Sequence, residues 1–147
     1  MSVSDIKEIF EIRSALESLS TGLAARRIEP DELEKLRALL AEIEGHIQNR
    51  DMDKIVEADI EFHGLLYRVS RNERLVAIIG NLKEQLARFR TLSMSYPGRL
   101  QETLEEHRAM VDAIAAGDVE AARDAADRHM ERAEETLLKA LRKDKRK

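Results

Sequence analysis

Residues 58–70 read ADIEFHGLLYRVS, and the spacing of their apolar side chains decides the fold. At about 100° per residue, Lys54, Glu57, Glu61, Gly64 and Arg68 fall in one polar sector, while Ile55, Phe62, Leu66 and Val69 line the opposite side. The period is that of an amphipathic helix with one face in a core. Asp59 and His63 fall inside the apolar arc, where leucines are expected. A carboxylate taken out of water is costly unless something compensates it, so this helix requires a partner at that spot.

The same period runs through the whole chain. There are only two prolines and six glycines, aromatics are 3%, and no β-branched alternation is sustained, so the fold class is all-α. Punctuation divides the chain into an antiparallel bundle of about six helices. The first covers residues 3–27. The second starts on Pro30 and runs to about Gln48. A third follows a cap at Asp51 and reaches Ser70. A fourth begins at Glu73 behind an Asn72 cap and continues to Tyr96-Pro97-Gly98. The fifth ends at Ala116, where Gly117-Asp118 reads as a C′ glycine followed by an N-cap. The sixth starts at Val119 and fades into the tail.

A chain of 147 residues is read as a single domain, 1–147, able to bury roughly two thirds of its unfolded surface. The absence of cysteine removes disulfides and thiolate metal sites and fits a reducing compartment. No window approaches the roughly 20 apolar residues of a membrane span, and a soluble, cytoplasmic protein with no membrane partner is expected. Net charge is −4, and basic residues are mixed with acidic ones along most of the chain, so no phosphate-binding face stands out. Only the tail KALRKDKRK is locally basic, which reads as a solvated helix end.

Two further histidines fall on apolar faces. In the fifth helix Leu100, Leu104, Val111 and Ile114 form the stripe, Glu102, Glu105, Glu106 and Asp112 lie outside it, and His107 lies within it. In the sixth, Val119, Ala122, Ala126, Ala133 and Leu137 define the inward face, which also holds His129. His46, among polar residues near a helix end, is read as exposed or capping. One inward histidine alone is most often a hydrogen-bonded core residue. Three with an inward aspartate form a ligand set: Asp59 and His63 are four apart on one helix, and an antiparallel bundle can bring His107 and His129 alongside. Three imidazoles and one carboxylate suit a divalent transition metal, zinc first, with nickel, manganese and iron as alternatives.

On the first helix, Ile6, Ile9, Phe10, Leu16 and Ala24 form the inward face, with Arg13 and Glu17 in the middle of it. The pair reads either as an internal salt bridge or as a cavity arginine that receives an anion, since a guanidinium fork matches a carboxylate. Arg88 and Arg90 in QLARFRT are weaker candidates for the same ligand site.

These motifs resemble a known family. EIRSALESLSTGLAARR is similar to the opening helix of the FCD domain, the C-terminal effector-binding domain of FadR-type regulators in the GntR family. ADIEFHGLLYRVSRNERL resembles its Asp-x-x-x-His helix and the following Asn turn, and EEHRAMVDAIAAGDVEAARDAADRHM its closing helix pair. His107 lies 44 residues after His63, and His129 a further 22 on, spacings that resemble the metal-binding branch. The resemblance implies that Asp59, His63, His107 and His129 bind a metal with two coordination positions left open, and that Arg13 belongs to the ligand pocket. It also implies a small organic acid or sugar acid as effector and a homodimer. Such regulators carry a winged helix-turn-helix, and these 147 residues contain none, so DNA contact is expected only through a part outside this chain.

Three functions compete. In the first, an organic acid inside the bundle biases a dimer and so the spacing of attached DNA-binding domains. The second is a metalloenzyme, for which only Glu17, Tyr67 or Tyr96 offers a general base and no recognisable motif places it, so an enzyme is not expected. The third is a structural bundle clipped by a metal.

Overall fold

A computed structural model describes residues 1–145. It is helical throughout, with no strand among the described residues. The helices are α1 (Val3–Arg27), α2 (Pro30–Gln48), α3 (Met52–Val69), α4 (Glu73–Leu86), α5 (Arg90–Met94), α6 (Arg99–Ala115) and α7 (Val119–Lys145). Of the basic tail, Arg146 and Lys147 lie outside the described residues.

Local signals set most boundaries. Ser2 and Asp5 form a reciprocal capping box at the start of α1, and Pro30 opens α2. Asp51 accepts from the Lys54 amide and Asn72 from the Leu75 amide, so α3 and α4 begin where their caps are. Gly117, with φ of 66°, closes α6, and Asp118 caps α7 through the Ala121 amide. Arg71 adopts a left-handed conformation with φ of 54°. Its guanidinium donates to the Arg27 and Val69 carbonyls and to Glu32, tying the end of α3 to α1 and α2.

One expected element differs. The fourth helix does not run unbroken to Tyr96: α4 stops at Leu86, a 3-10 turn spans Ala87–Phe89, and the short α5 follows. No proline or glycine marks the break, so its cause is tertiary. α5 packs against α7, while Leu86 and Phe89 enter an apolar cluster with Ile6, Phe10, Met130 and Leu137.

The long α1 packs most extensively against α7, and α3, α4 and α6 also contact it. Connections of two or three residues join α1 to α2, α2 to α3, α3 to α4 and α6 to α7, as an antiparallel bundle requires. The larger core cluster gathers Leu36, Leu40, Phe62, Leu66, Leu104 and Ile114, among others, from α2, α3 and α6. Between it and the Phe10–Met130 cluster lie the inward polar residues of α1, α3, α6 and α7. Leu36 is fully buried in the larger cluster, remote from those groups in sequence and lining none of their cavity. Leu36→Ala is therefore expected to cost about 2–5 kcal/mol, read as a fall in the urea midpoint at unchanged metal stoichiometry.

Candidate metal centre

The structure brings together the four residues singled out on three different helices. His63, His107 and His129 are 3%, 0% and 5% exposed, and Asp59 is 7% exposed. Each histidine offers a ring nitrogen, and these nitrogens all lie within 4.8 Å of one another. The ring centroids of His107 are 4.8 Å from those of both His63 and His129. Asp59 Oδ1 stands 3.5 Å from His63 Nε2 and 3.7 Å from His107 Nε2, too long for good hydrogen bonds but suitable for groups converging on a common point. Phe62 stacks on His107 with centroids 4.5 Å apart and backs the cluster with apolar surface.

Two observations test whether a cation fits. Both ring nitrogens of His107 and Nδ1 of His63 are buried with no hydrogen-bond partner in the protein, and such orphans are rare in native interiors. The protonation states also suit ligation. Burial, with the neighbouring His129 and His63, holds His107 well below its ordinary value, and burial lowers His63 against the pull of Asp59. Burial alone would raise the Asp59 carboxyl, but the surrounding imidazoles outweigh it and hold the group far below the carboxylate range. Neutral imidazoles and an ionised carboxylate are the forms a metal takes.

The fourth side of the cluster was not legible in the sequence. Glu106, expected outside the apolar stripe of its helix, is half-buried and lies 2.7 Å from His129 Nδ1. Arg99, 3% exposed, grips both oxygens of Glu106 at 2.8 and 2.9 Å. This fork holds the carboxylate against His129 and leaves the Nε2 side of that ring free to face the cluster. Leu100, expected in the stripe, is only partly buried, whereas Arg99 beside it points inward.

Arg13 and Glu17 form the internal salt bridge, and Arg13 faces a cavity as well. Arg13 Nε lies 3.3 Å from Glu17 Oε1, and Arg13 also lines the cavity beside the histidines. Glu17 is 1% exposed and accepts a very short hydrogen bond from the Tyr67 hydroxyl. Burial would raise the Glu17 carboxyl, but Arg13, His63 and Tyr67 hold it below its ordinary value. Burial and the Glu17 charge push the Tyr67 phenol well above its usual range, so it stays protonated as the donor. Tyr67 was read only as a remote general base; its role here is to hold Glu17.

The cavity has a volume of about 90 Å³ and is walled by Asp59, His63 and His129 on one side and by Lys83, Arg90 and Ser93 of α4 and α5 on another. Arg13, Arg99 and Thr103 complete its polar lining. Arg88 does not join Arg90 there. It is exposed and covers the Phe89 ring at 4.7 Å, because two residues along a helical path turn the side chain away. Lys83, overlooked in the sequence, lies seven residues before Arg90 and so on the same face, a signal that could have found it. His46 is partly buried near the end of α2, apart from the cluster.

Comparison with known proteins places this arrangement. The FCD domain family profile matches residues 8–132, and the chain belongs to that family, the effector domains of GntR-type transcriptional regulators. It is 29% identical over 124 residues to the HTH-type transcriptional regulator YdhC of Bacillus subtilis (strain 168), covering 84% of this chain and 55% of YdhC. It is 31% identical over 124 residues to the galactonate operon transcriptional repressor of Escherichia coli (strain K12), covering 82% and 52%. The chain thus spans about half the length of these curated relatives. In fold it is similar to the metal-free FCD domain of TM0439, a transcriptional regulator domain, with a TM-score of 0.77 at 22% identity over 97% of this chain and 98% of that one. FCD domains are regulatory, and the relatives are named regulators and not enzymes. No helix among the described residues is long and apolar enough to cross a membrane.

Replacing Glu106 with alanine should weaken metal affinity roughly 10–100-fold although every ligand remains, because His129 loses the group that orients it. Competition with a fluorescent chelator measures this. His107→Ala should lose the metal outright and fall in Tm. An unchanged wild-type Tm on chelation, with nothing found by metal analysis, would restore the plain core-histidine reading.

Proposed function

We propose that this chain is the ligand-sensing domain of a GntR-type regulator that binds a small carboxylate beside a divalent metal held by Asp59, His63, His107 and His129. The single observation that carries this reading is the buried convergence of three imidazoles, two of them with unpartnered ring nitrogens, beside a cavity that His63 and His129 line together with four cations. A divalent ion held there, zinc first among the candidates, supplies a Lewis-acid contact for an anionic oxygen.

The chain's own residues supply the remainder. Arg13 presents its fork to the cavity while Glu17 and Tyr67 fix its position, and Arg99 faces the same space from α6. Phe10, Leu86 and Met130 exclude water from the non-polar side and strengthen each charge contact. The cavity touches α1, α3, α4, α5, α6 and α7, so an occupant bridges nearly every helix of the bundle. That position suits a sensor, since a ligand that binds two arrangements unequally shifts the balance between them. We take the responding assembly to be a homodimer that passes the change to a DNA-binding domain joined to this one. Ile12 and Leu19, exposed and two turns apart on α1, and exposed Ile78 on the adjacent α4 provide apolar surface for a second copy.

Calorimetry with small acids on metal-loaded and chelated protein tests the reading. Binding should require the metal, and Arg13→Lys should weaken it about tenfold at unchanged metal content, because an ammonium cannot reproduce the fork. Failure of every acid to bind the loaded protein would leave only a structural metal clip. An affinity unaltered in Arg13→Lys would make Arg13 a structural partner of Glu17 alone.

A further inference from the structure

Four cations line the cavity, and their pairing is unequal. Arg13 is matched by Glu17, and both terminal nitrogens of Arg99 are taken up by Glu106. Lys83 and Arg90 also line it, yet among the described residues neither forms a salt bridge or hydrogen bond with any acidic group. They lie seven residues apart on the path from α4 into α5, which places them on one wall together with the Ser93 hydroxyl. Lys83 Nζ sits 5.0 Å from the centre of the Tyr67 ring, within reach of a cation–π contact. Glu17, already bonded to Arg13 and Tyr67, faces Lys83 and makes no direct contact with it, so a pair of like charges on this wall favours an anion between them.

We propose that the cavity is a two-point receptor for a dicarboxylate, one carboxylate lying at the Asp59–His63–His129 wall and the other between Lys83 and Arg90. The inference rests on the carboxylate-sensor reading above and specifies its ligand: one carboxylate answers the metal-site end, and a second is needed to neutralise the opposite wall. Size sets the length. An apolar cavity of about 150 Å³ accepts benzene, so a partly open space of about 90 Å³ takes an acid of three to five carbons and no long acyl chain.

The state of Lys83 in the ligand-free protein agrees. Burial lowers its ammonium to about 8, with Arg90 and Arg13 contributing and Glu17 opposing. The groups facing it are Arg13 and Glu17 from α1, Asp59, His63 and Tyr67 from α3, and Arg90 from α5. A carboxylate placed against Lys83 raises that value again, so near pH 8 a dicarboxylate should draw protons from the buffer on binding. A monocarboxylate at the metal-site end should not.

The test uses zinc-loaded protein and matched acids: malonate, succinate and glutarate against propionate, butyrate and valerate. Calorimetry at pH 8 in two buffers of different ionisation enthalpy gives affinity and proton uptake together. At least one dicarboxylate should bind about tenfold or more tightly than its monocarboxylate counterpart. Lys83→Met and Arg90→Met should each remove most of that preference while leaving the monocarboxylate nearly unaffected, and Lys83→Arg should retain it. Proton uptake should vanish in Lys83→Met. Equal affinity for the paired acids would overturn the two-point receptor and leave the sensor reading standing, whereas failure of all six acids to bind would sink both. A preference that survives in the Lys83→Met, Arg90→Met double variant would place both carboxylates on the metal, and the inference would fall.

Discussion

Everything in this bundle is arranged around the burial of one carboxylate. Asp59 is almost fully enclosed, and among the described residues no arginine or lysine is paired with it; of the imidazoles around it, burial favours the neutral form of His63 and His107. Its charge is met only by the surrounding imidazoles, two of which, His63 and His107, burial itself holds below their ordinary values. A divalent cation at that point would supply the missing charge and a partner for one orphaned nitrogen of His107. The four side chains from α3, α6 and α7 converge only when the helices are packed, so metal binding there would be linked to folding.

Two buried ion pairs flank this centre, and each ends on an aromatic ring. On one side Arg99 grips Glu106, which meets His129; on the other Arg13 meets Glu17, which accepts from Tyr67. In both, the carboxylate is held from two directions and cannot leave without exposing an unpaired buried charge. The arginines nevertheless line the cavity, so each serves the interior scaffold and the ligand surface together. A ligand acting on either arginine acts also on groups that position the centre. Such shared contacts would let binding energy in the cavity alter helix packing, which is what a sensor requires.

The helical fold was legible because its determinants are local. Capping by Ser2, Asp51, Asn72 and Asp118, the helix start at Pro30 and the glycine stop at Gly117 act within a few residues, and the 3.6-residue period marked inward faces correctly for Asp59, His63, His107 and His129. The convergence of those four residues followed from short connections between antiparallel helices. By contrast, the break at Ala87–Phe89 has no local signature, and an uninterrupted helix ending before Tyr96-Pro97-Gly98 was the natural expectation.

What the sequence determined by itself was which faces of which helices are buried, and hence which polar residues must find partners inside. What only the tertiary structure decided was who those partners are. Glu106 has the pattern of a solvent-facing residue on α6, yet α7 lies against that face and converts it into the anchor of His129. Arg88 and Arg90 are alike in composition, but the turn into α5 places one outside on Phe89 and the other in the cavity beside Lys83. Periodicity reports the direction of a side chain relative to its own helix axis; the identity of its neighbour depends on the position of a second axis, which no local spacing encodes.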